Sequence, residues 1–384
     1  MKVLFVSKEL HPAAGSGVGA RMHRDTLYEL VGRENVFVID LDLFIEPSRK
    51  QNYRSYGKYK NKFERIKRNL QMNTYYFSDS IINEIINIVK GENIEFVFLD
   101  DSTFGKLANA IKKKYPRVRV VSFFHDVKAQ LYPIWIKRSK FVDKIDFRIG
   151  IENEKKSVFS VDKNIVLNSA EDKLLERYYG VKADYHYPVC VSLPEESEKN
   201  PYPENGKKVI LFVGTSYVAN INGIRWFYKN VFLKISDYFD FWVVGKGLDC
   251  MKKEFSDNAS FHAEGFVESL ADYYRHADVI VAPLTGGGGM KIKTAEAISY
   301  GKVFVGSTES LHGYYEEMPK DIINKVIFRC DTIEDYLKAF STMAEKEVKK
   351  QNEALVELYK TKYSSTASYN IMKKIVEETM GEEI

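Results

Sequence analysis

The chain has 384 residues, 45% of them hydrophobic and 29% charged, a balance typical of a soluble globular protein of about two domains. Its net charge of +4 is too small for a typical nucleic-acid-binding protein, but it suits binding of anionic small molecules or contact with an anionic membrane surface. Three widely spaced cysteines, no apolar run of about 18 residues and no apolar region long enough for a signal peptide argue against a disulfide scaffold, a spanning helix and secretion. We therefore expect a cytoplasmic protein.

Continuous apolar runs alternate with helix-like stretches in both halves of the chain. The first half has them at residues 2–6, 35–41, 94–100, 118–124 and 164–168. The second half has them at residues 208–214, 241–245, 278–283, 302–307 and 325–329. Apolar runs without polar alternation are typical of strands buried on both faces of a parallel sheet. The pattern predicts an α/β fold with two Rossmann-like, doubly wound domains that face each other across a cleft.

A proline-rich segment separates the two halves. Residues 187–207 contain four of the ten prolines of the chain, and prolines clustered in this way favour a loop. We therefore expect an N-terminal domain over residues 1–190, a linker over 191–207 and a second domain over 208–365. The remaining residues, 366–384, are expected to form a helix that crosses back to the first domain.

The segment APLTGGGGMKIKTAEAISYGK, residues 282–302, contains four consecutive glycines after a predicted strand. The residues that follow the glycines predict a helix that ends at Gly301. A glycine turn before a helix N-terminus forms an anion site, because backbone N–H groups and the helix dipole meet there. Lys291 and Lys293 add positive charge. Glu296, on the same helix face as Lys293, either pairs with that lysine or accepts hydrogen bonds from a ribose diol.

The N-terminal loop, residues 7–21, contains a second glycine motif. Gly15, Gly17 and Ala20 match the dinucleotide pattern G-x-G-x-x-G/A, and Asp40 follows about 20 residues later. However, eight residues separate the predicted strand from Gly15, whereas a dinucleotide motif begins where its strand ends. The alternatives are a loop that faces a ligand held by the other domain and a flexible loop without a ligand.

Two further features follow predicted strands or helices. His125 and Asp126 come directly after a buried strand, where a histidine acts as a base, hydrogen-bonds a sugar hydroxyl or is purely structural. Residues 54–71 and 132–141 are basic and aromatic. They predict either solvated helix faces or surfaces that bind anionic lipid head groups or an acceptor.

Four stretches of the second half resemble glycosyltransferases of the GT-B fold, in the large family 4 that is also called glycosyl transferases group 1. They are FVGTSYVANINGIRWF (212–227), VVGKG (243–247), residues 263–305 and STESLHGY (307–314). The first half resembles this family more loosely, through the glycine loop and NIVLNSAED (164–172). The resemblance implies an enzyme that uses a nucleotide-diphosphate sugar, UDP- or GDP-linked, and needs no metal or other cofactor.

The resemblance also implies roles for the matching residues of the second half. Glu296 would bind the ribose, and Lys293 and Lys291 would bind the diphosphate, with Lys293 also catalytic through the charge of the leaving group. The backbone of the glycine loop would hold phosphate or sugar, at Gly287, Gly288, Gly289 and Met290. Phe266 and Val267 would contact the base.

The resemblance implies three further roles, one in the second domain and two in the first. Thr215 follows the first strand of the second domain, beside the donor. Gly17 would lie in a loop of the first domain that closes over the phosphates. His125, with Asp126 beside it, would lie next to the donor sugar as a catalytic residue.

Two positions depart from the family pattern. Many relatives have a glutamate eight residues before the ribose glutamate, where this chain has Gly288. Many also have an arginine and a lysine after the first strand of the second domain, where this chain offers Thr215 and Asn222. These departures leave retention or inversion of the anomeric configuration open.

The expected function is transfer of a hexose to a hydroxyl of a glycan or lipid-linked acceptor, in bacterial surface-polysaccharide synthesis. The acceptor would lie against the first domain, with peripheral membrane contact as an option. One alternative is a nucleotide-sugar epimerase, which needs more acid–base groups near the sugar than His125 and Asp126. The other is a non-catalytic subunit that binds a partner or glycan, which Gly288 favours.

Overall fold

The computed structural model describes residues 1–8, 10, 17–41, 48–57, 61–138, 140–192 and 199–381. The chain forms two compact units, Met1–Pro188 with Ser365–Ile384, and Val189–Ser364. Gly15 of the predicted glycine motif and residues 193–198 of the predicted linker lie outside the described residues.

The first unit is built on a largely parallel sheet. Its strands are β1 (Val3–Ser7), β2 (Val36–Asp40), β3 (Ser48–Lys50), β4 (Tyr53–Ser55), β5 (Phe96–Leu99), β6 (Arg119–Phe124), β7 (Lys163–Val166) and β8 (Tyr185–His186). Within the described residues their order is β3-β4-β2-β1-β5-β6-β7-β8, and β3 is antiparallel to β4. The central strands are buried on both faces, as their unbroken apolar sequences predict.

Helices alternate with the strands of this sheet along the chain. They are α1 (Gly17–Val31), α2 (Lys62–Leu70), α3 (Asp79–Gly91), α4 (Gly105–Lys114), α5 (Lys128–Arg138), α6 (Phe141–Ser160) and α7 (Ser169–Tyr179). Asn168 shows how the sequence starts such a helix, because its side-chain oxygen accepts hydrogen bonds from the backbone N–H groups of Ala170 and Glu171. Gly180 ends the same helix in the left-handed conformation.

The second unit has a fully parallel sheet. Its strands are β9 (Lys208–Val213), β10 (Phe239–Val244), β11 (Phe261–Glu264), β12 (Val279–Ala282), β13 (Val303–Gly306) and β14 (Ile327–Arg329). Their order in the part of the chain described is β11-β10-β9-β12-β13-β14. The helices are α8 (Val218–Asn230), α9 (Met251–Glu254), α10 (Leu270–His276), α11 (Ile292–Ser299), α12 (Ile333–Glu345) and α13 (Glu353–Leu358).

The last helix, α14 (Ser365–Met380), belongs to the first unit although it follows the second unit in the chain. It packs against α1, where the hydroxyl oxygens of Ser368 and Thr26 are 2.9 Å apart. The side chains of Met372, Ile375 and Val376 are fully buried. Burial of this apolar face stabilises the first unit.

The prediction of two doubly wound parallel sheets is confirmed, and each of the ten predicted strands is present. Four further strands, β3, β4, β8 and β11, are not predicted by the sequence. These strands have only two to four residues, and all lie at or beside a sheet edge, where one side can remain polar. Continuous apolar runs, the signal used for prediction, are therefore absent from their sequences.

Candidate functional site

The predicted anion site lies at the carboxyl edge of the second sheet. β9 and β12 are neighbours there, with β10 on one side of the pair and β13 on the other. The direction in which strands are added to the sheet reverses between β9 and β12. In open α/β sheets the loops that follow two such strands part and leave a crevice for a ligand.

The glycine turn after β12 adopts conformations that require glycine at two positions. The φ angle is 139° at Gly287 and 62° at Gly289. α11 begins directly after this turn, at Ile292, and the side chain of its N-cap residue, Lys291, makes no capping hydrogen bond. Gly301 ends α11 with a φ of 64°, as predicted. The turn thus presents bare backbone next to a helix N-terminus with free N–H groups.

Lys293 places a cation at this edge of the sheet. Its Nζ donates a hydrogen bond to Asn220 Oδ1 at 2.9 Å and lies 3.9 Å from the centre of the Phe212 ring. Among the described residues, no carboxylate lies within ion-pair distance of this ammonium. Burial lowers the pKa of Lys293 to about 7, although the nearby charge of Glu296 opposes the shift. An anion bound here would stabilise the charged form of Lys293.

Glu296 lies one turn further along α11 and is oriented by a tyrosine rather than by Lys293. The Tyr274 hydroxyl donates a hydrogen bond to Glu296 Oε2 at 2.7 Å, and the buried Tyr274 ring stacks on Tyr300 with centroids 5.0 Å apart. Burial raises the pKa of Glu296, against the opposing effects of this hydrogen bond and of Lys293. The simple ion pair between Glu296 and Lys293, one of the two alternatives, does not form.

Lys291 braces the glycine turn. Its Nζ lies 2.7 Å from Glu309 Oε1 and donates hydrogen bonds to the carbonyl oxygens of Gly289 at 2.8 Å and Gly288 at 3.2 Å. Its own carbonyl accepts a hydrogen bond from Tyr314 Oη at 3.0 Å. Lys291 is therefore already neutralised, whereas Lys293 is not. Its predicted role on the diphosphate stays a prediction.

A second set of glycines lets the loops after β9 and β10 approach each other. A Cβ atom on Gly245, whose φ is 137°, would lie only 1.8 Å from the carbonyl oxygen of Gly214. A Cβ atom on Gly214 would lie 2.9 Å from Asn220 Nδ2 and 3.2 Å from Lys293 Nζ. Gly214 thus leaves room for the Lys293 ammonium, and Gly245 leaves room for Gly214.

The other predicted residues of the second unit surround this edge less closely. Thr215 is exposed, and its carbonyl accepts a hydrogen bond from Asn220 Nδ2 at 2.9 Å. Asn222 is exposed on α8, so Asn220 rather than Asn222 contacts Lys293. Two predicted residues follow β11, the exposed Phe266 and the half-buried Val267. Within the turn Gly288 is exposed and Met290 is buried.

In the first unit, His125 contacts a buried carboxylate. Its Nε2 lies 3.3 Å from Asp100 Oδ1 and 3.1 Å from the Asp100 carbonyl oxygen. Asp100 is also 2.8 Å from His23 Nδ1 and accepts a hydrogen bond from Ser7 Oγ at 2.7 Å. Burial raises the pKa of Asp100, but His125 and His23 outweigh that effect and hold it at about 2. These contacts join the ends of β1, β5 and β6 with α1.

The sequence does not indicate that His23 and Asp100 belong to this group, because 77 residues separate them and only the fold brings them together. Burial lowers the pKa of His23, against the effect of Asp100. Next to this group, Asp101 is buried and forms an ion pair with Lys8 Nζ at 2.7 Å. Asp126 is half-buried at the end of β6. Its predicted catalytic role is not tested by these contacts.

The glycine motif of the first unit is described only in part. Gly17 is buried and is the first residue of α1. Asp40, at the end of β2, is buried and accepts a hydrogen bond from Tyr53 Oη at 2.7 Å. The carboxylate that a dinucleotide ribose would need is therefore already bonded within the protein.

No three His, Cys, Asp or Glu side chains in the described part of the chain are grouped as ligands for a metal ion. No helix there combines the length and the apolar sequence needed to cross a membrane.

Comparison with known proteins agrees with this architecture. Residues 207–346 match the family model described as glycosyl transferases group 1. No curated protein sequence matches the chain. The resemblance inferred from the motifs of the second half is thus confirmed by the family match.

Solved structures with the same fold cover almost the whole chain. The apo form of the lipopolysaccharide outer core galactosyltransferase WaaB has a TM-score of 0.66 at 15% identity, with 99% of each chain covered. WaaG, a glycosyltransferase involved in lipopolysaccharide biosynthesis, has a TM-score of 0.65 at 14% identity, with 99% of this chain and 100% of the WaaG chain covered. Anabaena HepE in complex with UDP has a TM-score of 0.67 at 10% identity, with 98% of this chain and 100% of the HepE chain covered. The chain therefore has the GT-B fold of these glycosyltransferases.

Proposed function

We propose that the protein is a glycosyltransferase that takes a sugar from a nucleotide-diphosphate donor bound by the second unit. One observation carries the proposal. Lys293 is an ammonium without a carboxylate partner among the described residues, at the uncapped N-terminus of α11 and at the point where strand order reverses. The match of residues 207–346 to a glycosyltransferase family supports the same reading, as do solved relatives in complex with UDP and UDP-glucose.

In the proposed reaction, the bond between the anomeric carbon and the diphosphate oxygen breaks, a bond to an acceptor hydroxyl oxygen forms, and that hydroxyl gives up its proton to a base. Negative charge grows on the leaving diphosphate, and Lys293 with the first N–H groups of α11 stabilises it. Glu296, held by Tyr274, accepts hydrogen bonds from the ribose hydroxyls. A cavity of about 370 Å³ beside the glycine turn offers Thr285, Glu309 and Asp331 to sugar hydroxyls.

The finer parts of the proposal rest on residue chemistry and family resemblance. We propose a metal-independent hexosyltransferase, with a glycan or lipid-linked acceptor in bacterial surface-polysaccharide synthesis. His125 is proposed as a group that accepts a proton or binds a sugar hydroxyl, held in position by Asp100. Asp126, the next residue in the sequence, is also proposed as a catalytic residue. The proposed location is the cytoplasm, with peripheral contact at the inner face of the membrane as an option.

The test is a panel of UDP-, GDP- and dTDP-sugars, each incubated with the protein in the presence and absence of a metal chelator. The proposal expects release of nucleoside diphosphate from one donor class, slow with water and faster with an acceptor, and unaffected by the chelator. Isomerisation of a donor sugar without any acceptor would instead identify an epimerase. Tight nucleotide binding without turnover, over a broad range of acceptors, would identify a non-catalytic subunit.

A further inference from the structure

Two helices of the first unit that contact each other, α2 and α6, expose large apolar side chains. On α2, Phe63, Ile66 and Leu70 are 83%, 54% and 82% exposed. On α6, Phe141 and Ile145 are 77% and 38% exposed. The spacings of three, four and seven residues place each set on one face of its helix. We call these five residues the α2–α6 apolar patch. Large apolar side chains exposed together on helix faces are typical of an interaction site.

The orientation of α2 is fixed by its opposite face. Arg65 donates hydrogen bonds to Asp143 Oδ1 at 2.7 Å and to Asp146 Oδ2 at 3.0 Å, and both acceptors belong to α6. Arg65 also donates to Tyr75 Oη at 2.8 Å. Arg68, which is buried, donates to the carbonyl oxygen of Tyr75. Because these arginines face inward, rotation of α2 to bury its apolar side chains would break a buried ion pair.

Cationic side chains surround the patch. Lys144 and Arg148 follow Phe141 by three and seven residues and share its helix face. Lys140 and Lys67 are exposed beside them on the two helices. No carboxylate among the described residues lies within ion-pair distance of these four cations. Two aspartates of α6, Asp143 and Asp146, are paired with Arg65.

We propose that the α2–α6 apolar patch docks on a bilayer surface that contains anionic phospholipid. The aromatic and aliphatic side chains would enter the boundary between head groups and acyl chains, while the lysines and arginine contact lipid phosphates. A second copy of this chain fits less well, because a twofold axis through the patch would oppose the same four cations. This inference goes beyond the proposed reaction, since docking needs no donor or acceptor.

The test measures partition of the intact protein onto vesicles of phosphatidylcholine with and without phosphatidylglycerol. Wild type is expected to bind the anionic vesicles and to dissociate at high salt. Replacing Phe63→Asp together with Leu70→Asp is expected to lower the partition coefficient by about tenfold or more. Replacing Lys140→Gln together with Arg148→Gln is expected to weaken binding to anionic vesicles and to leave binding to neutral ones unchanged.

A matched control removes comparable apolar area elsewhere. Leu233→Asp with Tyr238→Asp alters two side chains of the second unit that are 50% and 61% exposed, and it is expected to leave partition unchanged. A Phe63→Trp variant provides a second readout, because its fluorescence should shift to shorter wavelength on anionic vesicles even if the aspartate variant unfolds.

Three outcomes would overturn the inference. They are a wild type that binds no vesicles, patch variants that bind as wild type does, and self-association of wild type through the patch that Phe63→Asp abolishes. Each can be read without any measurement of glycosyl transfer, so failure of the docking inference leaves the proposed reaction untouched.

Discussion

Lys293 and Glu296 are three residues apart on α11 but are held by different neighbours. Lys293 donates to Asn220, which follows β9, and Glu296 accepts from Tyr274 on α10. Their spacing in the sequence predicts one helix face, but the same spacing is equally typical of a surface ion pair. The contacts with Asn220 and Tyr274 distinguish a ligand site from a surface ion pair, and both of these residues are distant in sequence from α11. The sequence therefore identifies both residues as candidates for ligand binding. Only the fold shows that Lys293 has no carboxylate partner among the described residues.

Glu296 is expected to recognise the ribose of the donor. Wild type should bind UDP about tenfold or more tightly than 2′,3′-dideoxy-UDP, since a hydrogen bond to a charged group contributes roughly 1.5–3 kcal/mol. The Glu296→Ala variant should bind both ligands with the same affinity, which should be weaker than the affinity of wild type for UDP. Titration calorimetry of the four combinations measures it. A Glu296→Ala variant that still prefers UDP as wild type does would refute the ribose assignment.

Lys293 is expected to take up a proton when a diphosphate binds. Its pKa of about 7 leaves it largely neutral near pH 8, and a bound anion raises that pKa again. Calorimetry near pH 8 in buffers of different ionisation enthalpy should therefore show uptake of up to about one proton per UDP. Affinity should fall as pH rises above 7. Lys293→Met should bind weakly and take up no proton, and wild-type binding without uptake would contradict the account.

At the scale of elements, strand β12, the glycine turn and α11 are where the sequence predicts most. A buried apolar run, four glycines and a helix that ends at Gly301 are all visible in the sequence, and the structure has them in that order. The sequence does not indicate which glycines are required, because four identical residues carry no distinguishing signal. The φ angles do so, with positive values at Gly287 and Gly289.

Gly287→Ala is expected to disturb the turn, and Gly286→Ala is its matched control. A φ of 139° is unfavourable for alanine, and a Cβ there would lie 3.3 Å from Lys291 Cε, which braces the turn. We expect the free energy of unfolding to fall by about 1–3 kcal/mol, with weaker UDP binding. Gly286 has open space around its Cβ position, so Gly286→Ala should stay within about 0.5 kcal/mol of wild type. Chemical denaturation of both variants measures the difference, and equal stabilities would contradict the assignment.

At the scale of the whole molecule, the sequence predicts both sheets but not the contacts made across them. Nine of the ten apolar runs form strands inside the two sheets, where burial on both faces makes them recognisable, and the tenth forms the edge strand β14. The strands that the apolar runs do not predict, β3, β4, β8 and β11, are short and partly polar. The same limit applies to the sites, since His125 is visible in the sequence only as a histidine after a strand. Its contact with Asp100, and that of Asp100 with His23, depend on the topology of the first sheet.

The central claim is that the second unit binds a nucleotide diphosphate at the N-terminus of α11. A crystal structure of the protein with UDP tests this most directly. The account predicts diphosphate oxygens within hydrogen-bond distance of Lys293 Nζ and the first N–H groups of α11, and ribose hydroxyls on the Glu296 carboxylate. UDP bound elsewhere, or bound at this edge of the sheet without contact to Lys293 and Glu296, would contradict it.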